Sequence, residues 1–522
     1  MKRNIFIISL SAVLLFAFGG CSDYLDVNHD PVALEEIPDA KVLLPAAEVG
    51  IANNLMGWHF GFSGAFWVEY WTQNYSASQF KSLCEYLPTD FNTAYQSLMS
   101  QPMADLKRMK SDTEGDENKG YYFIAEALSI FTWQVITDLW GDMPYTEALR
   151  AEEGLYHPKQ DQGQDIYADL LRRVDELLTI DLSESSIDGH YDYIFDGEME
   201  AWWYFAHALK LKLMLRLSET PGFDANALYD YIFSHEDEIF YFASSLYGGY
   251  GGARIPGRIW DDTMEGKRHP MREFQAGGAN YLSQNVIGCK TLVDYLKING
   301  DPRLATLFSG NEGAFFGDFD SKADSDEDGT PDDKEDYCTV RFAGDMDLFL
   351  LSSWEVLFAV AEVAARAGDM DNAQWYYEQA VMESLEQHGI ASTAIIEAAE
   401  GEDGQDGYAL WQGGSVEACI KQIAMQKWIA HCNYQHIEAF LERNRTKYPS
   451  VSEIDIRADR PAANLNFPTG SLTISVNGRT ILNGNLPASP LYPEVYITRN
   501  NNAPSQKPNV GQKVWWDQKA GK

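Results

Sequence analysis

The chain has 522 residues, 45% of them hydrophobic and 13% aromatic, which is ample material for a large packed core. Its formal net charge of −38 excludes nucleic acid as a partner, because phosphate binding needs clustered Lys and Arg. A neutral ligand or a calcium ion suits such a surface better.

The first twenty residues read as a targeting segment. Lys2 and Arg3 give a positive start, and residues 5–18 form an apolar run too short to span a bilayer comfortably. The run ends in Phe18-Gly19-Gly20-Cys21, which resembles a bacterial lipobox with Cys21 as the lipidated first residue of the mature protein. No second apolar run of membrane-spanning length follows, so attachment is expected through the N-terminal lipid alone.

Helical periodicity dominates the remainder. Ile124, Ala127, Leu128, Phe131, Val135 and Leu139 make one apolar stripe, and further helices are expected over 164–178, 201–217 and 416–442. Trp354, Leu357, Phe358, Ala361, Ala364 and Ala365 form another stripe. After Gly368-Asp369-Met370-Asp371 comes a third, of Ala373, Tyr376, Tyr377, Ala380 and Val381. Gly368 suits a helix C-terminus, and Asp371 can cap the next helix. Small residues facing aromatics in a unit of about 34 residues mark a tetratricopeptide hairpin. Long glycine- and aromatic-rich loops are expected over 247–278 and 311–336, with Tyr247-Gly248-Gly249-Tyr250-Gly251-Gly252 too flexible for a core. Residues 337–342 alternate like a strand. Near the C-terminus, 471–476 and 479–482 flank Asn477-Gly478 and read as a β-hairpin on a type I′ turn. There is no βαβ rhythm. The fold class expected is all-α, tetratricopeptide-like helical hairpins with a loop-rich ligand-binding part and a small β-hairpin.

One loop carries its own chemistry. Asp324, Asp326, Asp328, Thr330, Asp332 and Glu335 fall at positions 1, 3, 5, 7, 9 and 12 of a calcium-loop pattern, with Gly329 at the sharp turn. The segments on either side do not read as a helix pair, and Pro331 removes a backbone donor that paired EF-hands use. A single structural Ca2+ is therefore expected, without sensor action. Of the other cysteines, Cys84, Cys289, Cys338, Cys419 and Cys432 are scattered with no CxxC spacing. They read as buried small apolar residues, with one disulfide left open.

A set of ordered landmarks then resembles the SusD/RagB family of surface nutrient-binding lipoproteins. They are the mature start Cys21-Ser22-Asp23-Tyr24-Leu25-Asp26 and Trp140-Gly141-Asp142-Met143-Pro144-Tyr145-Thr146-Glu147-Ala148. Asp301-Pro302-Arg303-Leu304, Ala361-Glu362, Gln426-Lys427-Trp428 and Arg443-Asn444-Arg445 follow in order, and Val514-Trp515-Trp516-Asp517 closes the set. The resemblance implies one domain over 21–522, built of tetratricopeptide-like helix pairs with loop-rich decoration around 244–342 and 450–522. It also implies a place on the outer face of the outer membrane, anchored by lipid. There such proteins capture oligosaccharides, or in some lineages peptides, for a TonB-dependent, SusC-like transporter, and have no catalytic residues. The landmarks themselves are expected to be structural.

A sugar is held by an aromatic ring on its C–H face, with amides, carboxylates or guanidinium groups on its hydroxyls. Aromatics in loops are therefore the candidates, and those on helix stripes are expected in the core. Trp71, Asn74 and Tyr75 lie after the first helices, Trp260, Asp261 and Tyr281 in or near the glycine-rich loop, and Phe316 beside the acidic run. No HExxH, GxSxG or P-loop is present, so the alternative of an all-α glycoside hydrolase rests only on carboxylate pairs that a sequence does not display.

Overall fold

The computed structural model describes residues 39–75, 77–273, 281–319, 337–399, 405–458 and 460–522. The lipidation candidate Cys21 and the calcium-loop residues Asp324, Asp326, Asp328, Thr330, Asp332 and Glu335 lie outside these.

Helices carry the architecture. Gly120–Trp140 is buried at every position from Phe123 onward, as an all-round apolar helix must be. Around it pack Ala40–Leu55, Pro102–Thr113, Gly163–Leu177 and Met199–Arg216. The expected tetratricopeptide hairpin is present as Ser353–Ala367 against Met370–Gln387. Gly368 ends the first helix at φ +90, a left-handed conformation that costs glycine little. The second helix is capped by Asp369 rather than Asp371. The Asp369 carboxylate reaches the Asn372 N–H at 3.1 Å, whereas Asp371 already lies within the first turn.

The helix read over 416–442 is two helices, Val416–His431 and His436–Thr446. Helix Phe60–Trp67 crosses at the break so closely that a Cβ on Gly64 would lie 2.4 Å from the His436 backbone. Asn433 turns the chain at φ +68, and His436 accepts the Asn433 N–H and donates to the Gly61 carbonyl, both at 2.9 Å.

A fully buried ionic network ties these helices together. Arg216 reaches Asp138 (2.9 Å), Glu442 (2.7 Å) and Glu438, while Lys212 joins Glu438 (2.7 Å) and Glu355. Arg445 grips Glu362 (2.6 Å) and Glu442 (2.8 Å), and Lys427 is the third cation on Glu442, at 2.8 Å. Buried charges are tolerable only when paired and hydrogen-bonded this completely.

The expected landmarks meet here and are structural. Arg303, wholly buried, pairs with Asp301 at 2.6 Å and donates to Gln426 at 2.7 Å. Trp428 donates to the Val68 carbonyl at 3.0 Å, and Trp516 to that of Asp138 at 3.2 Å.

Strands are short. Trp71–Gln73 pairs antiparallel with Val286–Gly288, and Gly252–Ile255 with Leu348–Ser352 through a register shift at Ala253/Arg254. The glycine-rich loop is therefore partly core. Residues 251–253 are buried, and a Cβ on Gly252 would sit 2.5 Å from the Leu351 carbonyl. The expected C-terminal β-hairpin does not form. Leu472–Thr473 instead runs parallel to Val451–Ser452, because residues 472–476 are buried and their N–H groups find partners elsewhere. Thr473 donates to Glu69 (2.7 Å), Ser475 to the Tyr86 hydroxyl (3.1 Å) and Val476 to the Phe316 carbonyl (3.0 Å). Residues 337–342 make only isolated bridges, Thr339 to Ile287 and Val340 to Phe308. Cys84, Cys289, Cys338, Cys419 and Cys432 are all free and buried.

Candidate functional site: an exposed aromatic surface

The loop stretches selected from sequence do converge. Asn74 N–H and Gln73 Nε2 both donate to the Asn285 carbonyl at 2.9 Å, and Gly317 N–H reaches Thr72 Oγ1 at 3.1 Å. Their rings, however, point inward. Trp71 is fully buried, its ring edge-to-face with His436 at 4.8 Å between centroids, and Phe316 is fully buried and stacked 5.9 Å from Tyr86. Asn74 is 7% exposed. These three are core residues, because loops without long ladders must fill their interior with side chains. Tyr75 and Trp260 are half-buried, and the indole of Trp260 stands edge-on to His269 at 5.4 Å. Asp261 turns its carboxylate onto the Thr263 N–H (2.9 Å) and hydroxyl (2.6 Å), which hold its pKa down. Tyr281 begins a short helix, Tyr281–Asn285. Burial sets the protonation of this region. It pushes Glu69 up to about 8, against hydrogen bonds from Thr291 and Thr473, and drops His269 and His436 to about 3.

Among the described residues four large rings are exposed, and three of them, Tyr241, Tyr247 and Trp375, gather in one place. Helix Glu236–Ala243 opens with Glu236, Asp237 and Glu238, three acids that complement its N-terminal dipole. It buries Ile239, Phe242 and Ala243 and leaves Tyr241 46% exposed. The following turn is pinned. Glu383 accepts from Ser245 Oγ (2.6 Å) and Leu246 N–H (3.0 Å), and Gly249 N–H returns to the Ser244 carbonyl at 2.7 Å. A Cβ on Gly249 would lie 2.1 Å from the Tyr241 carbonyl, so the close approach requires glycine. This turn holds out Leu246 and Tyr247, the latter 56% exposed. Trp375, on helix 370–387, is 40% exposed.

The rings meet around half-buried Phe240, whose centroid lies 5.5 Å from Trp375, 5.6 Å from Tyr247 and 6.3 Å from Tyr241. Polar groups border them: Glu236 accepts from Tyr376 OH at 2.7 Å, and Gln374 donates to Glu378 at 2.8 Å. Tyr204 extends the surface. Its ring is 6.2 Å from that of Tyr250 and 6.0 Å from that of Trp203, which walls a hollow of about 360 Å3 together with Glu200, Asp181 and Ser183. Flat rings bordered by hydroxyls, amides and carboxylates can stack on a sugar face and bridge its hydroxyls.

Sequence reasoning missed this surface by assigning helical aromatics to the core. The signal was present, since Trp375 falls off the Ala373–Tyr376–Tyr377–Ala380 stripe, between Gln374 and residues of the polar face.

The family profile SusD-like_2, described as "Starch-binding associating with outer membrane", matches residues 31–468. The chain belongs to the SusD-like family. A SusD homologue from Bacteroides uniformis ATCC 8492 superposes with a TM-score of 0.68 at 17% identity, covering 91% of this chain and 99% of that one. A SusD-like protein titled Bacteroidetes AC2a gives 0.67 at 16%, covering 92% and 100%. A chitin-binding SusD homologue from Flavobacterium johnsoniae gives 0.65 at 18%, covering 92% and 99%. At these identities the likeness speaks to the fold, and it carries the all-α tetratricopeptide-type architecture. No curated protein sequence matches this SusD-like chain. Among its described residues no helix is long and apolar enough to cross a membrane.

Proposed function

We propose that this SusD-like protein is a surface glycan-binding lipoprotein, anchored by Cys21 to the outer membrane, that captures oligosaccharides and passes them to a TonB-dependent, SusC-like transporter. The observation that carries the reading is the rigidly mounted group of exposed rings, Tyr241, Tyr247 and Trp375. Single exposed apolar residues are ordinary, but a contiguous patch marks an interaction site. Family membership and the chitin-binding relative support a saccharide as its occupant.

Two carboxylates that burial would suit to general-acid work are out of a ligand's reach. Glu48 and Glu69, whose pKa values burial raises, are 0% and 1% exposed, so no polysaccharide reaches them. Asp324, Asp326, Asp328, Thr330, Asp332 and Glu335 would hold one Ca2+ as a structural ion. That reading rests on spacing, and chelation should then lower the melting temperature.

Affinity electrophoresis against a polysaccharide panel tests the function. Retarded migration without chain shortening, lost in Trp375→Ala, is the expected result. Shortened polysaccharide, or retardation unaffected by Trp375→Ala, would overturn it. Co-purification with an outer-membrane transporter tests delivery, and radiolabelled lipid at Cys21 tests the anchor.

A further inference from the structure

The helical scaffold carries a second hollow, of about 370 Å3, with a charge character opposite to that of the whole chain. Lys107 and Lys110 enter it from helix 102–113, Arg173 from helix 163–177, and Trp133 and Tyr145 form an aromatic wall, edge-to-face at 5.0 Å. Arg173 clasps Glu126 with two bonds of 2.6 and 2.8 Å and donates to Tyr145 OH at 2.8 Å; Lys110 joins the same Glu126 at 2.7 Å. Together these cations hold Glu126 down to about 2 despite its burial. Asp169 accepts from Tyr145 OH and is shared with Arg172 at 2.6 Å. Lys107 differs from its neighbours. Its ammonium donates to the Leu149 carbonyl and forms no ion pair with any described carboxylate. Of the three lining cations, Lys110 and Arg173 are thus bound to Glu126, while Lys107, which acts on Glu153 only at longer range, is the one with no direct contact to a described carboxylate.

We propose that this hollow binds a saccharide unit bearing a carboxylate, with the carboxylate on Lys107 and the ring against Tyr145 and Trp133. A single lining cation with no direct carboxylate contact suits one carboxylate per bound sugar unit better than a phosphate dianion, because burying unmatched charge is costly. An inorganic anion would leave the aromatic wall and most of the volume unused. The site is separate from the Trp375 surface, so it neither needs that surface to bind sugar nor fails with it.

Calorimetry of the full chain with di-galacturonate, with neutral galactobiose and sodium acetate for comparison, tests the assignment. Di-galacturonate should bind more tightly than either, and its affinity should fall as salt is added. Lys107→Gln, which can still donate to the Leu149 carbonyl, should weaken it roughly tenfold, as loss of a charge-assisted contact does. Lys107→Met should lose at least as much, while Trp375→Ala should change nothing. The proposal is overturned if di-galacturonate does not bind, if galactobiose or acetate binds as well, or if both Lys107 variants retain full affinity with wild-type melting temperatures.

Discussion

The loop-rich region around strand 71–73 and the helical surface around Trp375 use the same residue types to opposite ends. In the first, Trp71, Phe316 and Tyr86 are almost wholly buried, Phe316 stacked on Tyr86 and Trp71 edge-to-face with His436; in the second, Trp375, Tyr247 and Tyr241 stand at 40%, 56% and 46% exposure. The difference follows from where backbone hydrogen bonds go. A helix satisfies its own N–H and C=O groups, so its outward positions are free to carry a ring at little cost to the fold. The loops have two- and three-residue ladders, and they become rigid only by filling their interior with large side chains and by borrowing side-chain partners such as Glu69 and Thr72.

Substitution of the two tryptophans should separate the regions most widely. Trp71→Ala is expected to cost about 3–5 kcal/mol of stability, read from denaturant midpoints, as removal of a buried aromatic does. Trp375→Ala should stay within about 1 kcal/mol while abolishing retardation in a glycan-containing gel. A Trp71→Ala protein of full stability that no longer binds glycan would reverse the comparison.

The turn beneath Tyr247 provides the next test. Glu383→Ala removes the acceptor for Ser245 Oγ and Leu246 N–H and should cost about 1–3 kcal/mol, with faster amide exchange across 244–250 and weaker glycan binding. Unchanged exchange would show that the glycines, not Glu383, hold the rings out.

Proton linkage should act on the loop-rich side. His269 and His436, lowered from 6.5 to about 3 by burial, contribute stability that is complete above pH 6.5 and is lost as pH falls toward 3. Glu69, raised from 4.5 to about 8, contributes in the reverse sense, complete below pH 4.5 and lost as pH rises through 8. Protection of the amides of residues 71–73 against exchange should therefore peak near pH 6.5 and fall on both sides; a monotonic profile would contradict the assigned protonation states. The smallest effect belongs to Tyr247→Ala, with no more than about 0.5 kcal/mol of stability lost and about 0.5–1.5 kcal/mol of glycan binding.

Much of the scaffold was legible in the sequence. The stripes at 124–139 and 354–381 gave the central helix and the hairpin, and Gly368 marked the turn between them. The landmark residues read as structural, and Arg303, Gln426, Arg445 and Trp516 are buried: Arg303 is bonded to Gln426, Arg445 to Glu362 and Trp516 to the Asp138 carbonyl. The pattern failed where two periodic segments adjoin. Val416–His431 and His436–Thr446 read as one periodic segment, and the left-handed turn at Asn433, where helix 60–67 crosses at Gly64, breaks it. It failed again at Asn477-Gly478, whose turn preference yields to burial of residues 472–476 against Glu69, Tyr86 and Phe316.

The candidate site was less legible, because exposure is not a property of a residue type. Composition and periodicity sufficed for an acidic, helical chain with no use for polyanions, and the spacing of Asp324 to Glu335 stands as a sequence-level reason to expect Ca2+. Which rings face solvent was decided by tertiary packing alone. Trp71 and Trp375 are equally hydrophobic and equally flat, and what separates them is that Phe62 and His436, from helices 60–67 and 436–446, pack against the first while helix 236–243 and its turn stop beside the second. The same holds for Lys107, an ordinary lysine in the sequence, which becomes a site candidate only because folding pairs Lys110 and Arg173 with Glu126 and sets Lys107 on the Leu149 carbonyl, with no direct contact to a described carboxylate.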